Sequence, residues 1–525
     1  MVEYRKIPAT ISTQHPDNAN LPAWCTGSII EGNAEIHEIY YAFHDLCCHE
    51  VMWDSEGKDV DTRVVRKLLS NYPEYFYENQ LGRDVFLTYR IPNPKIEGAE
   101  RKVIVETLQN MTVACDVASS FYKREVAPIF EVMLPFTTDA KDLLWLHNYY
   151  KKAIAEAEEI RLDEEITVKD WIGCFQPKAI ELIPIIEDYD SIFMVDKILD
   201  PFIMSVKPRY MRVFIARSDP ALNYGLLCAV LLAKVALSKL HSLSKRREIP
   251  IHPILGVGSM PFRGHLSPNN LQNFLEEYKG LSTVTIQSAL KYDYPFEQAK
   301  NCVSLLNSHL PNGAPPPIDR YTEEKLDSII RKSASIYGRV VERFAPLINS
   351  VASYVPPRRA RRLHIGLFGY SRRVGTVSLP RAIPFAAALY SLGIPPELLG
   401  GRIFSELKEE EWEIVSEHYV NLKHDLEEAG GYLSWRNIEL LKHDTKGVAK
   451  RSGMDEERMK EVLKDILSDL EAVERNLGIK LGPATHVQMK HENFANNFLI
   501  SFLEGDNVAA STSLLEAAKT RRCLG

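Results

Sequence analysis

No apolar run in this chain approaches the roughly 20 unbroken residues that a membrane-spanning helix needs, which argues against an integral membrane protein. Its eight cysteines, Cys25, Cys47, Cys48, Cys115, Cys174, Cys228, Cys302 and Cys523, form no C-x-x-C pair and have no secreted-scaffold density, so they suit reduced, mostly buried thiols. Positive charge is not in excess. The 63 Lys and Arg against 70 Asp and Glu leave a net charge of -7, which argues against nucleic acid as the main partner. Neither the P-loop nor the dinucleotide fingerprint occurs, so nucleotide binding is not indicated. There is no internal repeat and no low-complexity tract. The start carries no apolar leader, and the cytoplasm is the default expectation.

What is present is a regular alternation. Short β-branched or apolar runs that stop at polar residues occur eight times, with helical spacing between them. They are Ile7 to His15, Glu50 to Lys58, Asp84 to Pro94, Ala127 to Pro135, Ile180 to Asp188, Arg212 to Gly225, Ile249 to Gly264 and Leu281 to Ser288. Eight strands alternating with helices predict a closed (β/α)8 TIM-type barrel rather than an open sheet. The 525 residues accommodate such a barrel, of about 250 residues, plus a large C-terminal α-helical extension. We place the barrel at 1–295 and a mainly helical region, packed on it, at 296–525. An exception at Leu363 to Arg373 reads as a segment inserted toward the site.

Barrel enzymes carry their chemistry at the carboxyl ends of the strands. That nominates His15, Asp54, Glu56, Arg90, Glu131, Glu187, Asp219, Arg263 and Gln287. Carboxylates mixed with arginines suit a metal-chelated anionic substrate, because guanidinium matches phosphate and carboxylate oxygens. Glu187 and Asp219 follow adjacent strands and would bring two oxygen donors to one hard cation. Arg263 lies in a Gly-rich loop whose backbone amides could approach an anion. Each residue also has a plainer reading. Asp219 could cap the following helix, and His15 before Pro16 could be a turn residue. Asp54 and Glu56 read as solvated or helix-capping, Arg372 and Arg373 as a surface pair, and Arg381 as the flank of a helix. The basic run Arg358 to Arg362 reads as an interface or a phosphate-steering patch.

Taken together, the motifs resemble the archaeal-type phosphoenolpyruvate carboxylases. The likeness runs through Thr13-Gln14-His15-Pro16-Asp17, Met52-Trp53-Asp54, Phe86-Leu87-Thr88-Tyr89-Arg90-Ile91-Pro92-Asn93-Pro94, Pro128-Ile129-Phe130-Glu131-Val132, Ala216-Arg217-Ser218-Asp219-Pro220-Ala221, Gly258-Ser259-Met260-Pro261-Phe262-Arg263-Gly264 and Leu379-Pro380-Arg381-Ala382-Ile383. The resemblance implies Mg²⁺, with Mn²⁺ as an alternative, held by Glu187 and Asp219. It implies His15 and Arg263 as catalytic residues, and Arg90, Arg372 and Arg381 as substrate ligands. The longer bacterial and plant enzymes of this activity have a Lys where Leu222 stands and a further Arg near Val257, so Arg217 is expected to supply a missing contact. Their N-terminal phosphorylation segment has no counterpart here, and regulation by that route is not expected. The implied substrates are phosphoenolpyruvate and bicarbonate, and the implied assembly is a homotetramer. Neither nucleic acid nor a membrane is an expected partner. Another metal-dependent barrel lyase or aldolase acting on a 2-oxo acid, and a non-catalytic scaffold, are the competing expectations.

Overall fold

The computed structural model describes residues 5–14, 20–22, 24–25, 27, 30–55, 61–98, 101–356, 373–374 and 376–525. Within them the eight expected strands form β1 (Thr10–Ser12), β2 (Glu50–Asp54), β3 (Phe86–Arg90), β4 (Glu131–Leu134), β5 (Glu181–Ile186), β6 (Met211–Ala216), β7 (Ile251–Gly256) and β8 (Thr283–Ile286). All pair in parallel and in sequence order, and β1 closes on β8 through Thr10 opposite Val284 and Ser12 opposite Ile286. The barrel is therefore a (β/α)8 cylinder, as the alternation predicts.

Side chains alternate across each strand, so every second residue faces the barrel axis. Ile11, Met52, Met133, Ile183, Ile185, Phe214 and Ile254 form a separate apolar cluster, the middle of the interior. Residues two positions earlier on the same strands supply its floor. There Arg212 donates to Glu50 (2.9 and 2.6 Å), to Glu131 (2.7 Å) and to the Thr283 hydroxyl (3.3 Å), and its side chain is wholly buried. Tyr210 also donates to Glu131 (2.9 Å), and Arg5 pairs with the same carboxylate. Glu131 is thus not a mouth residue, contrary to the sequence expectation. It opens β4 instead of ending it, and its charge is absorbed at the amino-terminal end of the barrel. Burial alone would raise the Glu131 pKa, but Arg5 and Arg212 outweigh it and hold the carboxyl below its ordinary value.

Space at the upper end is set partly by Gly256, where a Cβ would lie 2.5 Å from the Phe214 ring. Beyond the strands the described chain is mainly helical. The long helix Arg320–Ala352 lays Tyr337 against Gly225, the joint between helices Ser218–Tyr224 and Leu226–Arg247, and the Tyr337 hydroxyl donates to the Leu222 carbonyl at 2.9 Å. Gly225 adopts φ 92° there, and an added Cβ would sit 3.0 Å from the Tyr337 ring. Helix Leu226–Arg247 is apolar enough to cross a membrane, but 83% of its most apolar window is buried inside the fold. A continuous apolar cluster joins the outer barrel wall to these helices. The segment 357–372, which contains the basic run and most of the expected insertion, lies outside the described residues.

The floor network yields a stability prediction. Arg212→Ala leaves buried Glu50 without a cation and Glu131 with Arg5 alone, and should destabilise the chain by about 3 to 5 kcal/mol in denaturant unfolding. Arg212→Ala within about 1 kcal/mol of wild type would show that the floor adds nothing. The depressed Glu131 carboxyl stabilises the fold at pH above the unfolded value of about 4.3, and this contribution should disappear as pH falls through its lower folded value.

Candidate active site

The mouth is built from residues that continue the inward-facing parity of the strands. At the end of β2 and β3, Arg90 donates from Nε to Asp54 Oδ1 (2.8 Å) and from Nη2 to Asp54 Oδ2 (2.6 Å). Asp54 is 0% and Arg90 9% exposed. Asp54 is therefore neither solvated nor a helix cap, as the sequence had suggested. It fixes the plane of the Arg90 guanidinium by a two-point ion pair, which restricts how the cation can present itself to an anion. The Ser55 hydroxyl and amide both donate to the Arg90 carbonyl (2.6 and 3.0 Å), securing the backbone as well.

Glu187 follows directly on β5 and accepts from the Phe136 amide at 2.9 Å, across the β4 loop. Its neighbour Asp188 has a different task, capping helix Tyr189–Phe193 through the Ser191 amide at 3.0 Å. Asp219 stands half-buried in the first turn of helix Ser218–Tyr224, just past the end of β6. Strands β5 and β6 are adjacent, with Ile186 opposite Ile215, so both carboxylates stand at the same end of the barrel. Two carboxylates on neighbouring strands are a fitting oxygen donor set for a hard divalent ion.

Arg263 sits in the short turn Pro261–Arg263 after β7 and is buried. Its Nε donates to the Ser218 hydroxyl (3.1 Å), Nη1 to the Gly525 carbonyl (2.6 Å), and Nη2 to Gln287 after β8. The turn is held from behind as well. The Phe262 amide donates to Glu397 at 3.0 Å, and both Glu397 oxygens accept from Tyr390. Arg217 points away from this group. Arg212, Phe214 and Ala216 alternate inward, so Arg217 falls on the outer face, 1% exposed, donating to the Tyr278 hydroxyl (3.0 Å) and the Phe262 carbonyl (3.4 Å). Leu222 is fully buried against the helices. Arg381 precedes helix Ala382–Ser391, half-buried. His15, Glu56 and Arg372 lie outside the described residues.

Sequence patterns did not point to a second charged group at the mouth. Lys291, after β8, donates to the Thr13 carbonyl (2.9 Å), to Ser12 (3.3 Å) and to Glu38 (3.0 Å), while Gln14 and Tyr292 also donate to Glu38. It pins the end of β1 two residues before His15. Nor did they point to His265, which joins the turn after β7 to the helices through Asp425 (2.6 Å) and Glu428 (2.5 Å). Burial opposes its charge, but the hydrogen bonds and charges of those two carboxylates prevail and raise its pKa to about 9. His265, His424 and Asp425 also form a group that could hold a metal ion, their donor atoms lying within 4.8 Å of one another. With both His265 nitrogens engaged by carboxylates, the ring is better suited to a proton than to a soft or borderline cation.

A closed barrel that gathers guanidinium and carboxylate groups at the carboxyl ends of its strands defines the anion-handling class of TIM-barrel enzymes. The sequence profile of phosphoenolpyruvate carboxylase matches residues 7–525. The chain is 48% identical to the phosphoenolpyruvate carboxylase of Metallosphaera sedula over 522 residues, covering 99% of this chain and 100% of the relative. It is 44% identical to that of Caldivirga maquilingensis, also over 522 residues, covering 99% and 100%. The chain belongs to the phosphoenolpyruvate carboxylase family, as the motif resemblance implies. A malate synthase complex from Haloferax volcanii aligns with a TM-score of 0.37 and 11% identity over 81% of this chain and 98% of that one, too distant to bear on the site.

The His265 bridge predicts a pH dependence. A raised folded pKa contributes stability that is complete below the unfolded value of about 6.5 and is lost as pH rises through about 9. Unfolding experiments should therefore show wild type losing stability between pH 7 and 10. His265→Gln should be less stable at pH 7 and flatter across that range; an unchanged slope would remove His265 as the source.

Proposed function

We propose that this chain carboxylates phosphoenolpyruvate with bicarbonate, giving oxaloacetate and phosphate. The observation that carries this reading is the arrangement of Arg90, Glu187, Asp219 and Arg263 around one barrel mouth, in a chain that matches the family over nearly its full length. A divalent ion, Mg²⁺ or Mn²⁺, held by Glu187 and Asp219 would supply Lewis-acid stabilisation of enolate charge.

The chain's own groups account for the remaining needs. Arg90, oriented by Asp54, together with Arg263 and Arg381, binds phosphate oxygens and offsets charge that builds as bicarbonate attacks phosphorus. Arg372 joins them in this reading. His15 accepts the carboxyl proton of carboxyphosphate, so that CO₂ is released beside the pyruvate enolate and carbon-carbon bond formation follows. Lys291 and Glu38 position the end of β1 that carries His15. Arg217 is better suited to positioning than to substrate contact, since it lies on the outer face of its strand end, where Nε reaches Tyr278 and Nη1 the turn that bears Arg263. Excluding water matters throughout, because a protonated enolate is lost as pyruvate.

The assembly in this reading is a cytoplasmic homotetramer with small-molecule substrates and no nucleic-acid or membrane partner. The eight free thiols support a reducing compartment, and light scattering at four times the chain mass would test the tetramer.

A coupled malate dehydrogenase assay should show oxaloacetate formation that depends on bicarbonate; turnover without bicarbonate would favour a barrel lyase or aldolase instead. Glu187→Gln and Asp219→Asn should each raise the Mg²⁺ concentration for half-maximal rate at least about tenfold, the loss that even an outer-shell change produces. An unmoved metal titration would remove that residue from the ligand set. His15→Asn should keep phosphate release while oxaloacetate formation falls by about 10² to 10⁴. Equal loss of both products would place His15 before the proton transfer.

A further inference from the structure

Outside the barrel wall, on the same end as the mouth, lies a cleft of about 340 Å³ between the β3 loop, the start of helix Val103–Tyr122 and helix Ala140–Tyr149. It is separate from the barrel interior. Leu134, which forms part of its lining, belongs to the outer apolar cluster, whereas the preceding Met133 points into the barrel. The volume is within the range of small-ligand sites, about 300 to 1,000 Å³. Two aromatic rings stand at its rim, Trp145 and Tyr149, and Trp145 is 58% exposed.

Among the described residues the charges lining the cleft are mostly positive. Lys95 pairs with Asp142, the one acidic residue in the lining among the described residues, and its Nζ lies 5.4 Å from the Trp145 ring centroid. That leaves Arg101, whose Nε donates to the Gly98 carbonyl at 3.3 Å, and Lys102, both exposed, at the start of Val103–Tyr122. This helix has no side-chain cap, and Lys102 occupies the capping position. Two cations at a helix amino terminus oppose the helix dipole, and an anion seated there would relieve both terms. Glu106, the acid of the first turn, lines a different cleft beside Thr107 and Asn110.

We propose that this cleft binds an organic anion with a flat apolar body, its ring against Trp145 and Tyr149 and its acid group at Arg101 and Lys102, and that occupancy is felt at the mouth. The connection is short. Asn93, which lines the cleft, donates to the carbonyls of Pro135 (2.8 Å) and Phe136 (3.3 Å), and the Phe136 amide holds Glu187. Asn93 also follows Arg90 by three residues, so a ligand that shifts this loop shifts two groups of the candidate site together.

The probe is 8-anilinonaphthalene-1-sulfonate, titrated calorimetrically into the full chain, with the uncharged N-phenyl-1-naphthylamine as its control. One sulfonate should bind saturably per chain. Trp145→Ala and Lys102→Glu, both surface changes, should each weaken it at least about tenfold, and the uncharged analogue should bind at least about tenfold more weakly. Saturating probe should change KM for phosphoenolpyruvate by at least about threefold in wild type and not in Lys102→Glu, a coupling of ordinary allosteric size. Absence of saturable binding, binding indifferent to both substitutions, equal binding of the uncharged analogue, or a KM unmoved at saturation would each overturn the proposal. The KM measurement rests on the carboxylase reading, whereas the binding measurement needs no turnover. Missing activity with specific binding would therefore count against that reading, and missing binding in an active enzyme against the cleft.

Discussion

The upper end of the barrel depends on one buried cation. Arg263 reaches the Ser218 hydroxyl after β6, Gln287 after β8 and the Gly525 carbonyl at the end of the chain. A guanidinium can do this because its donors lie in one plane and diverge from three nitrogens, whereas the three donors of a lysine radiate from one. Removing it would take away one tie between the strand ends and leave three acceptors, two of them buried, to find other partners. The turn that bears it is gripped from outside the barrel by Glu397, and Arg217 braces the same turn from beneath through the Phe262 carbonyl. Candidate chemistry and tertiary closure are therefore carried by the same side chain.

The barrel interior is polar at both ends and apolar between them. At the floor, Arg212 and Arg5 face Glu50 and Glu131, two cations against two carboxylates. At the mouth, Asp54 and Arg90 pair in the same way, but other charged groups stand beside them with substrate-sized chemistry to do. The layer of Met52, Met133, Ile183, Ile185, Phe214 and Ile254 separates the two. It keeps the mouth carboxylates from being drawn to the floor arginines, and it provides a low-dielectric base on which the mouth charges act strongly.

Most of the barrel was legible because it rests on local signals: eight short β-branched runs, each ending at a polar residue. Where the reading of individual residues failed, parity or position along the strand explains it. Glu131 shares the inward face with Met133 but opens its strand, so it belongs to the floor. Arg217 is one residue past Ala216 and so faces outward, a result already implicit in the alternation of Arg212, Phe214 and Ala216. Asp54 looked solvated because nothing local indicates that Arg90, on the next strand, will meet it. The Lys291 and Glu38 contact spans 253 positions, and no periodicity reports on a pairing of that kind. The Glu187 and Asp219 pair, as two donors for one hard cation, was suggested by adjacent strand ends; Ser-Asp-Pro alone is equally good chemistry for starting a helix, and the family resemblance is what tipped the reading of Asp219 toward a metal.

The helices beyond the barrel are bound to the mouth by ionic and polar contacts as well as apolar packing. His265 lies two residues after Arg263 and is held by Asp425 and Glu428, and Arg521 reaches Glu428 at 3.3 Å and the Tyr390 hydroxyl at 3.0 Å. Burial acts against the charges of His265, Glu428 and Arg521, and their neighbours of opposite sign offset it. Burial would raise the Glu428 carboxyl, yet His265 and Arg521 hold it down at about 2. Loss of one member leaves the others buried and uncompensated, which makes the cluster cooperative. Because its first member sits on the turn that carries Arg263, the helical region takes part in setting the geometry of the mouth, and a strain introduced among those helices has a direct route to the site.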